Sequence, residues 1–92
     1  MKRAVKILIS GTVQGVFFRQ FVADNARQFG LKGFTRNLEN GDVEIIAEGE
    51  NENIPKFVEV CKIGPKHSNI KSVKVEERKY EGDFKDFKVL RF

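Results

Sequence analysis

The hydrophobic residues of this chain repeat with two different periods, and the order in which these periods alternate restricts the fold. Strand-like segments, in which apolar residues alternate with polar ones or cluster between turn residues, are 4–9, 32–37, 43–47, 71–77 and 87–92. Two other segments place apolar residues at spacings of three and four, which line one side of a helix. The first helical stripe consists of Phe18, Phe21, Val22, Ala26 and Phe29, and the second of Ile54, Phe57, Val58 and Cys61.

Turn-forming residues separate these segments. Gly30 and Gly64 follow the two helical stripes, as expected where helices end. Pro55 is compatible with the second helix because it lies in the first turn, where its missing N–H removes no internal hydrogen bond. Asn40-Gly41 predicts a tight hairpin between the two strands that flank it.

The resulting order is strand, helix, strand, strand, helix, strand, followed by a short terminal strand. This order predicts an α+β fold, a ferredoxin-like βαββαβ two-layer sandwich in which an antiparallel sheet carries two helices on one face. The sequence does not indicate where the terminal strand pairs. With 92 residues, we expect a single domain over residues 1–92. Because this fold hosts many unrelated functions, the function has to be argued from a site.

The net charge of +4 favours anionic partners, either small phosphorylated compounds or nucleic acid, and charge alone does not distinguish them. Lysines that alternate with apolar residues, as in 71–75, are more typical of a solvated strand face. The single cysteine and the lack of a secretory signal in residues 1–6 predict a cytoplasmic protein. No stretch approaches the roughly 18 apolar residues of a membrane span, so we expect no membrane insertion. We expect a monomer.

The most informative segment is the glycine-containing loop 11–19, which connects the first strand to the first helix and ends at Arg19. Backbone N–H groups at the start of a helix lack internal partners, and the helix dipole adds partial positive charge, so a phosphoryl group fits there. Arg19 would add a planar set of donors that stays protonated. The glycine spacing matches neither a Walker loop nor a dinucleotide motif. On spacing alone, a plain turn with a solvated arginine is equally compatible.

Two sequence blocks resemble a known family. The string G-T-V-Q-G-V-F-F-R at 11–19 resembles the first signature of the acylphosphatases, and G-F-T-R-N at 33–37, followed by N-G-D-V-E at 40–44, is similar to their second signature. The departures are Phe34, where many relatives carry Trp, and Asn40, where an Asp often precedes the glycine. The resemblance extends over the chain in length and element order, whereas the specific motifs lie within residues 11–44.

The resemblance implies an enzyme that hydrolyses acyl phosphates to a carboxylate and inorganic phosphate, without metal or cofactor. It implies that Arg19 is the main phosphate-binding side chain and that Asn37 orients the attacking water. The implied phosphate-binding residues are Gln14, Gly15, Val16, Phe17, Phe18 and Arg19. Carboxylate is a weakly basic leaving group, which explains how such a site could work without a dedicated general acid. Asn37 can donate and accept hydrogen bonds but does not easily take a proton, so we interpret it as a positioning group.

Other residues suggest competing interpretations. Cys61 could indicate a cysteine phosphatase, but it continues a helical core stripe and no arginine lies in its local sequence 61–67. His67 is isolated in a loop, and Glu48, Glu50 and Glu52 are expected to form a solvated run. The main rival function is an RNA-binding module of the same fold, suggested by nine phenylalanines. A non-catalytic phosphate-sensing domain is a third possibility. We expect no nucleic-acid partner. The physiological acyl phosphate stays open.

Overall fold

The computed structural model describes residues 1–12 and 16–90. Its strands are β1 (Lys2–Thr12), β2 (Lys32–Asn37), β3 (Val43–Glu50), β4 (Asn69–Arg78) and β5 (Phe87–Val89), and its helices are α1 (Val16–Gln28) and α2 (Asn53–Ile63). The predicted order of elements is confirmed. The end of the predicted terminal strand, residues 91 and 92, lies outside the described residues.

The five strands form one sheet in the order β4-β1-β3-β2-β5. Strand β1 is antiparallel to β3 and to β4, and β2 is antiparallel to β3, so the predicted four-stranded antiparallel sheet is confirmed. The terminal strand β5 adds to the outer edge of β2 in the parallel direction, with Gly33 opposite Phe87. The complete sheet is therefore mixed.

One face of the sheet carries both helices. Residues of β1 and β3 that pair across the sheet project to the same face, and those on the helix face are fully buried. They are Val5, Ile7, Ile9, Val43, Ile45 and Ala47. The predicted stripe of α2 is buried against them, together with Phe18, Val22 and Ala26 of α1. The spacings of three and four thus identified the core sides of both helices.

Glycine ends each helix as predicted. Gly30 has a φ of 69°, and the Leu31 amide donates to the Ala26 carbonyl at 2.8 Å, a hydrogen bond typical of a glycine-terminated helix. Gly64 ends α2 with a φ of 70°. Neither described helix is long and apolar enough to cross a membrane.

The opposite face of the sheet is partly covered by residues 79–86, which we call the crossing segment. The backbone amides of Glu81 and Gly82 each donate to the carboxylate of Glu48 at 3.1 Å. The Phe84 ring packs edge-on against Phe34, with 5.9 Å between ring centroids. As a result Glu48 is only 4% exposed.

The prediction that Glu48 belongs to a solvated acidic run is therefore wrong. Its strand position faces the crossing segment, and two backbone N–H groups satisfy its carboxylate there. Glu52 is exposed, and Glu50 lies at the surface beside Lys2, 3.0 Å between Nζ and Oε1. The run is solvated at its later positions only.

Candidate active site

The directions of the strands place the C-terminal ends of three of them at one edge of the sheet. Strands β1 and β2 both run antiparallel to β3, and β5 runs parallel to β2, so β1, β2 and β5 end at the same edge. Val43 of β3 pairs with Ile9 of β1 on one side and with Asn37 of β2 on the other. Asn37 therefore lies two strand spacings, about 10 Å, from Ile9. Helix α1 follows β1 and begins at this edge.

Strand β1 bends just before it leaves the sheet. Its pairing with β4 shifts register between Ser10 and Gly11, and Gly11 has a φ of 132°. A Cβ atom at Gly11 would lie 2.1 Å from the Asn69 carbonyl oxygen, so only glycine fits there. Irregularities of this kind redirect the chain at the rim of a sheet. Here the redirected chain leads to the predicted phosphate-binding loop.

The predicted loop is described in part. Gln14 and Gly15 lie outside the described residues, and of Val16 only the backbone is described, in the first turn of α1. Phe17 is 86% exposed, whereas Phe18 is buried with its ring 6.4 Å from that of Phe21. No acidic residue lies in the first turn of α1, so no carboxylate there competes with an anion for the free N–H groups.

Arg19 is the fourth residue of α1 and is fastened to the terminal strand segment. Its Nη1 donates to the Leu90 carbonyl at 3.1 Å, and the Leu90 amide donates to the Thr35 carbonyl at 2.9 Å. Two hydrogen bonds therefore connect Arg19 to β2, two residues before Asn37. Farther along α1, Arg27 makes a similar bond from Nη2 to the Phe87 carbonyl at 2.7 Å. The two arginines hold α1 against β5 and against Leu90, the residue that follows it.

Asn37 ends β2 on the face that carries the helices, because its partner Val43 is part of the core on that face. It is half-buried and lines a cavity of about 280 Å³ together with Arg36, Leu38 and Glu39. The structure thus brings Arg19 and Asn37, the two predicted catalytic side chains, to the same edge of the sheet.

Both side chains contain a buried polar atom without a protein partner. These atoms are Nε of Arg19 and Oδ1 of Asn37, and a third such atom within the described residues is Oγ1 of Thr35. Most buried polar atoms in folded proteins are hydrogen-bonded, so each such atom needs an explanation. Two of the three belong to side chains for which we predicted a role in binding phosphate or water.

Arg36, next to Asn37 in sequence, faces the other way. Its Nε donates to Glu44 Oε1 at 2.7 Å, and Lys6 Nζ lies 3.6 Å from the other oxygen of the same carboxylate. These residues project from the face opposite the helices, because neighbouring positions of a strand alternate between faces. The Arg36 guanidinium is therefore engaged with Glu44 on the face opposite that of Asn37.

The competing candidates lie elsewhere. Cys61 is fully buried, and burial raises the pKa of its thiol to about 12, so the thiolate needed by a cysteine phosphatase is not formed near neutral pH. Its predicted place in the core is confirmed. His67 is exposed in the loop after α2. Among residues 1–12 and 16–90, no three His, Cys, Asp or Glu side chains are grouped so that they could hold a metal ion.

A further cavity, of about 380 Å³, includes in its lining Leu90, the backbone partner of Arg19. It lies beside the crossing segment and is lined by Phe34, Phe84 and charged residues of 83–88. Its lining includes neither Arg19 nor Asn37.

Sequence reasoning missed two residues that the structure places beside Arg19 and Asn37. Leu90 contributes only backbone groups, which carry no side-chain signal. Thr35 did have a signal, because it lies two positions before Asn37 and strand alternation puts both on one face.

Comparison with known proteins agrees with this architecture. The family model for acylphosphatase matches residues 5–89. The chain is 41% identical to the acylphosphatase of Methylococcus capsulatus, over 99% of this chain and 98% of that protein. It superimposes on the crystal structure of the acylphosphatase from Bacillus subtilis with a TM-score of 0.91 at 34% identity, covering 99% of this chain and 100% of that one. For the acylphosphatase from Coxiella burnetii, the TM-score is 0.90 at 38% identity, covering 97% and 93%.

The chain is a ferredoxin-like α+β sandwich of the same architecture as these acylphosphatase structures. The chain belongs to the acylphosphatase family. The resemblance inferred from residues 11–44 is confirmed, as is the predicted class of enzyme. Membership of this family implies a small acyl phosphate as substrate and phosphate as product.

Proposed function

We propose that the chain hydrolyses the carboxyl–phosphate bond of acyl phosphates, with the loop from Gln14 to Arg19 holding the phosphoryl group and Asn37 positioning the attacking water. The observation that carries this proposal is that Arg19, in the first turn of α1, and Asn37, at the end of β2, lie at the same edge of the sheet. The proposal assigns the reaction steps to individual residues of this chain.

The phosphoryl group would bind where positive partial charge is concentrated. The first turn of α1 provides free N–H groups and the positive end of the helix dipole, without an acidic side chain to oppose an anion. Arg19 has five N–H donors, and Nη1 donates one of them to Leu90. That single bond fixes the guanidinium against β5 and leaves other donors for phosphoryl oxygens. The hydrogen bonds from these donors would become stronger as negative charge builds on the phosphoryl oxygens in the transition state.

Water would attack phosphorus in line with the departing carboxylate. Asn37 lines the neighbouring cavity and can donate and accept hydrogen bonds, so it can hold a water molecule in a productive orientation. The carboxylate leaves as a weak base and needs little protonation, so the step requires no strong general acid. Inorganic phosphate retains the tetrahedral anion that the loop binds, and we expect it to inhibit competitively.

The test compares two arginines of the same helix. Arg19→Ala should leave no measurable hydrolysis of benzoyl phosphate, and Asn37→Ala should lower kcat by about a hundredfold, as for other positioned donors. Arg27→Ala is the matched control, because it also loses a hydrogen bond from α1 to β5 but at the far end of the helix. Its turnover should stay close to wild type. Circular dichroism would verify the fold of each variant.

Near-normal turnover by folded Arg19→Ala protein would overturn the assignment. An equal loss in Arg27→Ala would show that both arginines act only by fastening the helix. Phosphate binding without any turnover in the wild type would identify a phosphate-sensing domain instead.

The structure favours this enzyme over an RNA-binding module. RNA recognition on such a sheet uses aromatic rings that are free to stack on bases. Here the crossing segment places Phe84 against Phe34, and Arg36 and Lys6 on the same face are paired with Glu44. Fluorescence anisotropy with single-stranded RNA should therefore detect no tight saturable binding at physiological salt.

We further propose that residues 1–92 act as one domain and as a monomer in the cytoplasm, without a metal or cofactor. The predicted consequence is that turnover survives exhaustive treatment with a chelator. Size-exclusion chromatography with light scattering would give the oligomeric state, and a dimer would contradict this part of the proposal.

A further inference from the structure

Thr35 is a fully buried hydroxyl at the inner side of the candidate site. It lies in the middle of β2, where it pairs with Ile45 on one side and with Val89 on the other. Its exposed fraction is 0%, and its Oγ1 atom has no hydrogen-bond partner among the described residues. A buried hydroxyl without a partner costs free energy that a valine of the same shape would avoid. Packing alone therefore does not explain a threonine here.

The backbone brings Thr35 close to both predicted catalytic side chains. Thr35 and Asn37 are two positions apart on one strand, so both side chains project to the helix face. The carbonyl of Thr35 accepts a hydrogen bond from the Leu90 amide at 2.9 Å, and the carbonyl of the same Leu90 accepts one from Arg19 at 3.1 Å. Arg19 is thus held over the junction of β2 and β5, at the position of Thr35 along the strand.

The three unsatisfied atoms of this region have complementary chemistry. Nε of Arg19 can only donate a hydrogen bond, and Oδ1 of Asn37 can only accept one. The hydroxyl of Thr35 can do both. It is the group of the three that can link the other two, and an ordered water can carry such a link where the direct distance is too long.

We propose that Thr35 is a positioning residue for the hydrolytic reaction. Its hydroxyl, with an ordered water, links Nε of Arg19 to Oδ1 of Asn37 and so fixes the orientation of the guanidinium and of the amide. Thr35 is fully buried and acts through these two side chains, without touching the substrate. The inference rests on the proposed function of Arg19 and Asn37.

The kinetic test uses two substitutions at the same position. Thr35→Val removes the hydroxyl and keeps the shape, and it should lower kcat about tenfold with little change in KM. Because Nε of Arg19 and Oδ1 of Asn37 lose the linking hydroxyl, a modest fall in Tm should accompany the loss of kcat. Thr35→Ser restores the hydroxyl and should restore kcat. A purely structural threonine would instead change Tm and leave kcat unaltered.

A second measurement does not depend on activity. In the wild type, the Nε–H proton of Arg19 should exchange slowly with solvent by NMR, since it is engaged inside the protein. The exchange should accelerate in Thr35→Val and stay slow in Thr35→Ser. The Arg19→Ala and Asn37→Ala assays test the proposed function separately, so failure of either idea is distinguishable.

Two results would overturn the role of Thr35. One is a Thr35→Val protein in which either kcat or the Arg19 exchange rate equals that of the wild type. The other is a Thr35→Ser protein that loses as much as Thr35→Val. The wild type could also show no turnover while its Arg19 Nε–H proton exchanges slowly in a way that depends on Thr35. That result would support the hydrogen-bonded link and reject the enzyme assignment.

Discussion

The two faces of the sheet are stabilised in different ways. The helix face is covered by α1 and α2, and its strand residues pack as a continuous apolar core. The opposite face is covered by the crossing segment, which is held by the carboxylate of Glu48 and by the contact between Phe34 and Phe84. Non-directional packing therefore supports the scaffold on one side, whereas a few specific contacts organise the other.

The largest loss of stability is expected at one of two aromatic pairs that have nearly the same geometry. Phe57 and Phe87 meet on the helix face at 6.3 Å and 67°, and Phe34 and Phe84 meet on the other face at 5.9 Å and 65°. Phe57 is fully buried, so Phe57→Ala should lower the free energy of unfolding by about 3–5 kcal/mol. Phe84 is only half-buried, so Phe84→Ala should cost about 1 kcal/mol.

Urea denaturation of both variants, with the wild type as reference, would check this prediction. Equal losses would show that the crossing segment contributes to the core as strongly as the helices do. In that case packing would stabilise both faces of the sheet to the same extent.

A loss of stability of intermediate size is expected for a substitution at Glu48. Glu48→Gln removes the negative charge that accepts hydrogen bonds from the amides of Glu81 and Gly82, and it should cost about 1.5–3 kcal/mol. The loss should be local, so the amide protons of Glu81 and Gly82 should exchange faster with solvent while turnover is unchanged. Glu52→Gln, the same substitution at an exposed position nearby, is the matched control. Unaltered exchange at both amides would show that Glu48 does not hold the crossing segment.

The same difference between faces explains what the sequence could predict. Apolar spacing identified the core stripe of α2 and the order of helices and strands along the chain, because burial on the helix face follows the period of each element. Glu48 was assigned incorrectly because its partners are backbone amides 33 and 34 residues farther along the chain, which have no side-chain signature. The position of β5 was not predictable, because a strand of three residues has too short a pattern to indicate its neighbour.

In the candidate site, too, some residues were predictable from the sequence and others were not. Arg19 and Asn37 were predicted as site residues from two sequence motifs, and the directions of β1 and β2 explain why they reach one edge of the sheet. Leu90 and Thr35 were not identified. Leu90 contacts Arg19 through its backbone carbonyl, which has no side-chain signal, and the role proposed for Thr35 depends on which buried atoms near it lack partners, which only the folded arrangement defines.

The smallest loss of stability is expected at the outer strand β4, where the helix face is incompletely covered. Val75 pairs with the buried Ile7, yet it is 41% exposed. Near it, Nε of Arg3 donates to the carboxylate of Glu77 at 2.7 Å. This hydrogen bond lowers the pKa of Glu77 from its usual value. Exposed ion pairs of this kind contribute little and are screened by salt.

The sign of the pH dependence follows from the lowered pKa of Glu77. The ionised carboxylate binds Arg3 only in the folded protein, so the stabilisation is present above the pKa of the unfolded chain and is lost as the pH falls through the lower pKa of the folded protein. Glu77→Gln should therefore reduce Tm slightly at pH 7 and low salt, and the difference should vanish in strong acid or in 1 M NaCl. A difference in Tm that persists in acid would mean that Glu77 stabilises β4 through packing of its side chain, and the uncovered part of the helix face would then resemble the rest of that face.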